Sequence, residues 1–169
     1  MAAELFQEAA DQGHARAQCN LGTLFQAGDG VRRSLKKAAG LFRNAAEQGH
    51  AAGQFNLGLC YKAGMGVQRG CRKAAEWLQK AGAQGHGRAQ FHVGLLFDQG
   101  HGVARDHGKA AEWLRRAAEQ GVVHAQFNLA VFLYHGRGVA VDRDAARGLL
   151  EQAAGQGNED AQRRLREWF

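Results

Sequence analysis

Residues 50–85, HAAGQFNLGLCYKAGMGVQRGCRKAAEWLQKAGAQG, contain one full copy of a unit that recurs along this chain. Two columns of residues spaced 36 apart mark the copies: Gly13, Gly49, Gly85, Gly121 and Gly157, and Gln18, Gln54, Gln90, Gln126 and Gln162. A fixed period of this length indicates a repeat architecture, because each unit can bury its apolar face only against the next unit.

Each unit is predicted to form two helices. In the third copy, apolar residues from Ala89 to Phe97 follow the spacing of one helical face, which predicts a first helix, called helix A. A second apolar stripe from Ala110 to Ala118 predicts helix B, with Asp106 as its N-cap and Gly121 closing its C-terminus. Other copies place Ser34 and Asp142 in the N-cap column, whereas Gly70 is a weak cap there.

Glycines are predicted to form the joint between helices A and B. The chain has 24 glycines and no proline, and a Gly-x-Gly-Val sequence follows each helix A. The first glycine can end helix A in the left-handed conformation and the second can reverse the chain. A further column, Gly22, Gly58 and Gly94, lies inside helix A and predicts that a neighbouring helix crosses closely there. The matching column of small residues on helix B is Ala45, Ala81, Ala117 and Ala153.

These patterns predict an all-α fold, a right-handed α/α superhelical solenoid of stacked helix-turn-helix repeats. The expected order is a half repeat (1–13), four repeats (14–49, 50–85, 86–121 and 122–157) and a C-terminal capping helix (158–169). The first half repeat lacks a preceding partner helix, so further repeats upstream or a homo-oligomer formed through this open end are expected possibilities.

Composition argues against several classes of protein. No apolar run approaches the roughly 20 residues that span a bilayer, which predicts a soluble chain without membrane insertion and favours the cytoplasm. Three scattered cysteines do not make a disulfide framework, and Cys19 and Cys60 occupy apolar columns typical of the core. The column of His14, His50 and His86 spaces its side chains one repeat apart, too far for one ion, so no metal and no cofactor are expected.

The repeated pattern Ala-Gln-Phe-Asn-Leu-Gly-x-x-Tyr-x-x-Gly-x-Gly-Val, followed by Lys-Ala-Ala-Glu-Trp-Leu-x-Lys-Ala, resembles the Sel1-like repeat, a relative of the tetratricopeptide repeats. The resemblance covers the whole chain. It implies a protein-interaction scaffold or adaptor that has no catalytic activity and binds a protein or peptide on the concave face formed by its A helices.

Two columns on helix A are candidates for partner binding. One contains polar side chains that could hydrogen-bond a peptide backbone: Asn20, Asn56, His92 and Asn128. The other contains aromatic side chains: Phe55, Phe91 and Phe127. Each column has an alternative role, because the asparagines can bond to neighbouring helices and the phenylalanines can pack between repeats.

A third candidate surface is basic. Arg33, Arg69 and Arg105 follow the joints and form a ridge that could contact an acidic partner, although a solvated edge explains them as well. The net charge of +6 also permits nucleic-acid contact. The sequence lacks the exposed aromatic residues among basic ones that base stacking needs, which argues against this function.

The alternative to a binding function is a β-lactamase-like hydrolase, as described for cysteine-rich Sel1-like relatives. Ser34 and Lys37 match the Ser-x-x-Lys nucleophile motif of penicillin-recognising enzymes. Ser34 also lies in the N-cap column of helix B, which explains it without catalysis. The paired cysteines of those relatives are largely replaced here by Ala and Gln.

Overall fold

The computed structural model describes residues 2–169, except for the side chain of Ala2. Over this range the chain forms ten α-helices and no β-strand, which confirms the all-α repeat fold. It divides into two compact units, Met1–His86 and Gly87–Phe169, and within each unit consecutive helices pack on one another.

The first unit contains five helices: α1 (Ala2–Asp11), α2 (Ala15–Ala27), α3 (Leu35–Glu47), α4 (Ala51–Ala63) and α5 (Cys71–Ala83). The second contains the other five: α6 (Gly87–Gln99), α7 (His107–Glu119), α8 (Val123–His135), α9 (Arg143–Gly155) and α10 (Glu159–Trp168). The even-numbered helices are copies of helix A and the odd-numbered ones are copies of helix B.

The glycine joints have the predicted conformation. Gly64 ends α4 with a φ of 73°, and its N–H donates to the Cys60 carbonyl oxygen at 2.8 Å. Gly66 has a φ of 69° and packs so closely on the Leu35 carbonyl group that a Cβ there would overlap it. The joint is therefore both a chain reversal and a contact with the preceding helix B.

The N-caps of helix B differ between copies. Ser34 Oγ accepts from the Lys37 N–H at 3.3 Å, and Asp106 Oδ1 accepts from the Lys109 N–H at 2.9 Å. This last bond is the main reason that the pKa of Asp106 lies below its ordinary value. Gly70 offers α5 no side-chain acceptor, as predicted.

We expect Gly70→Asp to raise the free energy of unfolding by about 1 kcal/mol, through a side-chain cap and a favourable charge at the helix N-terminus. Gly70 has an extended φ of −159°, and an added Cβ would meet no atom closer than Lys73 Cβ at 3.9 Å. Urea unfolding followed by circular dichroism measures the change. Asp106→Gly is the reciprocal control and should lower the free energy of unfolding. If Gly70→Asp does not raise the free energy of unfolding, the assignment of position 70 as the N-cap is contradicted.

The glycines inside helix A lie against large side chains of helix B. A Cβ at Gly22 would come within 2.7 Å of Phe42, and one at Gly58 would come within 2.7 Å of Leu78. The predicted close crossing is thus confirmed, but the predicted partner column is wrong. Ala45 instead faces Gly53, one turn earlier in the neighbouring helix A, because the helices cross at an angle that shifts the register.

Buried glutamines tie four of the A helices, α2, α4, α6 and α8, to the helices beside them. Gln54 Oε1 accepts from Gln84 Nε2 at 2.7 Å, and Gln54 Nε2 donates to the Ala46 carbonyl oxygen at 3.3 Å. The same amide-to-amide bond over 30 residues joins Gln18 to Gln48, Gln90 to Gln120 and Gln126 to Gln156. Since a buried amide is costly without partners, these bonds explain why glutamine recurs in this column.

The cores of the two units are filled from the small and large apolar columns. The largest fully buried side chains are Phe42, Leu21, Leu57, Leu78, Leu114, Leu150 and Val93. Cys19 and Cys60 are buried, as predicted, and burial raises the pKa of the Cys60 thiol to about 11. Cys60 therefore stays a protonated core residue at neutral pH.

The last helix packs through its aromatic end. Trp168 stacks on Tyr134 of α8 with ring centroids 3.9 Å apart and planes 15° apart. Arg163 and Arg166 are exposed, and Arg163 Nη2 pairs with Asp160 Oδ1 at 2.6 Å, whereas the Arg164 guanidinium group lies over the Trp168 ring.

Candidate functional site

The polar column of helix A is partly exposed in both units. Asn56 Nδ2 lies 3.5 Å from Cys19 Sγ, a weak interaction between neighbouring A helices, and Asn128 Nδ2 donates to the His124 carbonyl oxygen in its own helix at 2.7 Å. Neither bond uses the Oδ1 acceptor of its amide. These side chains could therefore still accept from a peptide N–H.

A surface depression of about 600 Å³ lies beside Asn20, between α1 and α2. Its lining is mainly apolar and includes Leu5, which is 67% exposed, and Phe6. His14 and Arg16 also line it. An apolar depression that also carries an amide and a cation can hold one side chain of a polypeptide while polar groups meet the polypeptide backbone.

The aromatic column of helix A is used mainly for packing. Phe55 is only 4% exposed, and its ring stacks on His86 with centroids 4.6 Å apart. This burial argues against the predicted role of Phe55 as a partner contact. Phe91 and Phe127 are half-buried, and Phe91 lies 6.0 Å from the His124 ring.

The histidine column lies at the N-caps of helix A. His50 Nδ1 accepts from the Gly53 N–H at 3.1 Å, whereas His14 is exposed and makes no such bond. Nowhere in residues 2–169 do three His, Cys, Asp or Glu side chains come close enough together to hold a metal ion.

The predicted basic ridge partly supports the joints. Arg33 Nε donates to the Gln26 carbonyl oxygen at the end of α2 at 3.1 Å. A Cβ at Gly28, Gly64 or Gly100 would meet the Cβ of Arg33, Arg69 or Arg105 respectively, at 3.1 to 3.5 Å. The stems of these arginines therefore cover the helix-ending glycines, which leaves the guanidinium groups at the surface.

Sequence reasoning missed a second set of basic residues at the joints. Lysine ammonium groups lie over the aromatic ring at the end of helix A in three copies, at 5.1 to 5.7 Å from the ring centre: Lys37 over Phe25, Lys73 over Tyr61 and Lys109 over Phe97. The sequence did contain a signal for these pairs, because the aromatic column and the lysine column both repeat at the period of the chain. In the fourth copy both residues change together, to Leu133 and Ala145.

Pockets open beside two of these joints in the first unit. The pocket at Tyr61 has a volume of about 600 Å³ and is lined by Arg43, Tyr61, Gly66, Val67, Gln68, Arg69, Gly70, Arg72 and Lys73. The pocket at Phe25 has a volume of about 490 Å³ and is lined by Phe25, Val31, Arg32, Arg33, Ser34 and Lys37. Neither lining includes a carboxylate.

The corresponding region of the second unit carries acidic side chains. Asp98 Oδ1 lies 3.0 Å from His107 Nδ1 and 2.9 Å from Arg137 Nη2, which joins two consecutive copies. Lys109 Nζ lies 3.5 Å from Asp106 Oδ2. Arg137 and Lys109 therefore each have a carboxylate partner in this unit.

Ser34 lies at the N-terminus of α3. Its hydroxyl oxygen caps α3 by accepting from the Lys37 backbone N–H, as the capping interpretation predicted. The three cysteines, Cys19, Cys60 and Cys71, are free.

The ten helices, their glycine joints and the recurring buried glutamines define an α-helical repeat scaffold. The Sel1 repeat model matches residues 1–14, 15–50, 51–86, 87–122 and 123–158. The chain belongs to the Sel1 repeat family, whose typical role is in protein interaction.

Solved structures with the same fold include a protective antigen present in uropathogenic Escherichia coli strains, at 38% identity over 96% of this chain with a TM-score of 0.92. A Sel1 repeat protein from Oxalobacter formigenes matches at 34% identity over 96% of the chain, with a TM-score of 0.88. The chain spans 35% of the first structure and 65% of the second. The immunity protein PA5088 from Pseudomonas aeruginosa matches at 29% identity over 94% of this chain and 58% of its own, with a TM-score of 0.62. No significant match was found among curated proteins.

In the described part of the chain, no helix has both the length and the apolar character needed to cross a membrane.

Proposed function

We propose that this chain is a protein-interaction module without catalytic activity, which binds a polypeptide segment on the surface of its A helices. The observation that carries the proposal is the column of Asn20, Asn56, His92 and Asn128, which repeats a polar, partly exposed side chain at one position of each helix A. A side chain that can donate and accept suits the alternating N–H and C=O groups of an extended peptide.

The depression at Asn20 gives the proposed surface a place for an apolar side chain. Leu5 and Phe6 supply the apolar contact, and the amide of Asn20 lies at the same depression. Burying one leucine-sized side chain of a partner contributes about 1.5 to 3 kcal/mol before the costs of association. The polar column of the A helices would then orient the bound polypeptide and make its binding specific.

The family favours a partner that is a protein. Sel1 repeats typically mediate protein interactions, and the solenoid class supplies extended surfaces for such recognition. One neighbouring structure is called a protective antigen and another an immunity protein, and neither name is that of an enzyme. Neither name assigns a partner to this chain.

We expect the double substitution Asn20→Ala with Asn56→Ala to weaken peptide binding by about tenfold or more, since each lost amide removes hydrogen bonds worth about 0.5–1.5 kcal/mol. Peptides would be selected from a displayed random library against the unmodified chain, and their affinities measured by fluorescence anisotropy.

Asn44→Ala is the matched control, because Asn44 is an exposed asparagine on helix B of the same unit. It should leave the affinity unchanged, and circular dichroism should show equal helix content in all variants. Peptides that bind the double variant as tightly as the unmodified chain would exclude the polar column as the binding surface.

A further inference from the structure

The pocket at Tyr61 concentrates positive charge. Four of its lining side chains are cationic: Arg43 from α3, Arg69 from the joint, and Arg72 and Lys73 from α5. All four are exposed, and none of the nine lining residues is acidic. Like charges brought together without a carboxylate repel one another, so an anion in this pocket would stabilise the arrangement.

Tyr61 adds a neutral hydrogen-bond donor to the cations. The side chain is only 9% exposed, and the Lys73 ammonium group lies over its ring, 5.5 Å from the ring centre. Arg43 Nη2 donates to Tyr61 Oη at 3.3 Å. Because the hydroxyl oxygen accepts this bond, its own proton remains to be donated to another acceptor.

The N-terminus of α5, beside the pocket, also favours the binding of an anion. In α3, α7 and α9 a side-chain oxygen accepts from the third backbone N–H of the helix, supplied by Ser34, Asp106 and Asp142. In α5 the residue in that column is Gly70, so no side chain fills the acceptor position beside the pocket. An oxyanion bound there would take the place of the carboxylate that two other copies carry.

The other joints lack this combination. At the Phe25 joint no hydroxyl is present on the ring and Ser34 fills the cap. At the next joint Asp106 both caps α7 and lies beside Lys109. Among the four joints of residues 2–169, the Tyr61 joint alone combines an aromatic hydroxyl, a pocket lining of cations without a carboxylate, and a helix N-terminus without a side-chain cap.

We propose that the pocket formed by Arg43, Tyr61, Arg69, Arg72 and Lys73 binds a phosphomonoester group. Such a group carries a charge of about −1.5 to −2 and three strong acceptor oxygens. It can therefore pair with several cations and a hydroxyl donor at once, and a single carboxylate offers less charge and fewer acceptors. Three of the cations are arginines, whose planar forks bind phosphate oxygens in pairs. The volume of about 600 Å³ has room for the group and the side chain or small molecule that carries it.

Binding of inorganic phosphate, O-phospho-L-serine and a short peptide with one central phosphoserine would be measured by calorimetry at constant ionic strength. We expect saturable binding of all three and none of the unphosphorylated peptide. Tighter binding of the phosphopeptide than of O-phospho-L-serine would identify a phosphorylated polypeptide as the source of the group. Equal affinities would identify a free phosphomonoester, and either result supports the site.

Two variants test the position of the site. Arg72→Gln removes a pocket cation and should weaken binding by about tenfold or more. Gly70→Asp places a carboxylate in the acceptor position and should abolish binding while α5 stays folded. A third variant, Tyr61→Phe, keeps the ring and should reduce the affinity several-fold through loss of the hydroxyl alone.

Arg32→Gln is the matched control, because it removes the same charge from the pocket at the preceding joint. It should leave the affinity within about twofold. The proposal is overturned if phosphate and phosphopeptide show no saturable binding, if Gly70→Asp has no effect, or if oligothymidylate binds more tightly than the phosphopeptide. These measurements use small probes, so their outcome is independent of whether the A helices bind a peptide.

Discussion

Gly66→Ala is expected to lower the free energy of unfolding by about 3 kcal/mol, because two separate costs add at this position. The residue has a φ of 69°, which costs about 1 to 2 kcal/mol for alanine. The new Cβ would also overlap the backbone carbonyl group of Leu35, and a backbone group cannot move aside as a flexible side chain can. Relieving that overlap requires the joint to shift away from α3.

Gly30→Ala separates the two costs. Gly30 is the corresponding residue of the preceding joint and has a φ of 65°, but an added Cβ there meets no atom within 4 Å. We expect a loss of about 1 to 2 kcal/mol, from the backbone conformation alone. Urea denaturation followed by circular dichroism compares the two variants, and equal losses would show that the contact between Gly66 and Leu35 is unimportant.

Leu78→Ala is expected to lower the free energy of unfolding by about 3 to 4 kcal/mol. Leu78 is fully buried between α5 and α4, and its side chain fills the space that Gly58 leaves open. The truncation removes apolar contact and leaves a cavity that the rigid helices close only in part. Leu5→Ala is the control for the same chemical change at an exposed leucine and should cost much less.

The effect of Gly58→Ala should change sign with the residue at position 78. With Leu78 present, the new Cβ lies 2.7 Å from Leu78 Cγ and forces the core apart. In the Leu78→Ala variant, the same methyl group enters the cavity and improves helix propensity, so adding Gly58→Ala should restore about 1 kcal/mol. Losses that simply add in a double-mutant cycle would contradict the direct packing of these two positions.

Sequence reasoning predicted the fold well because its main determinants are local and repeat. The joint between the two helices could be recognised from Gly64 and Gly66, because the left-handed backbone conformation admits few residues other than glycine. The caps at Ser34 and Asp106 could be recognised because a helix start needs an acceptor at that position. The repeating period then extended each local inference to every copy.

Contacts between helices were less predictable. The partner of Gly58 depends on how α4 and α5 cross, and the observed crossing brings Leu78 to it where an alanine column had been expected. The bond between Gln54 and Gln84 joins residues 30 positions apart, one of them at the end of a helix, so periodicity marked the column without revealing its partner. The stacking of Phe55 on His86 likewise depends on how neighbouring helices pack, which the pattern of residues alone does not give.

The candidate sites were predicted only in part. The Asn20 column was recognised as polar on a helical face, and its part in binding stays a prediction. The basic ridge at Arg69 was recognised, but the pocket at Tyr61 was not. Its hydroxyl group and its helix start without a side-chain cap come from Tyr61 and Gly70, which differ from the residues of the other copies, and an alignment of repeats draws attention to what is shared.

The bonds between glutamines 30 residues apart also constrain how the gene can change. An extra residue inside a B helix would turn the far end by about 100°, so the amide at its terminus would no longer face its counterpart. A whole block of 36 residues added or removed leaves every such pair matched. Lengthening by duplication of complete blocks is therefore the change that this architecture tolerates, and swapping one block for another is the natural route to a new binding preference.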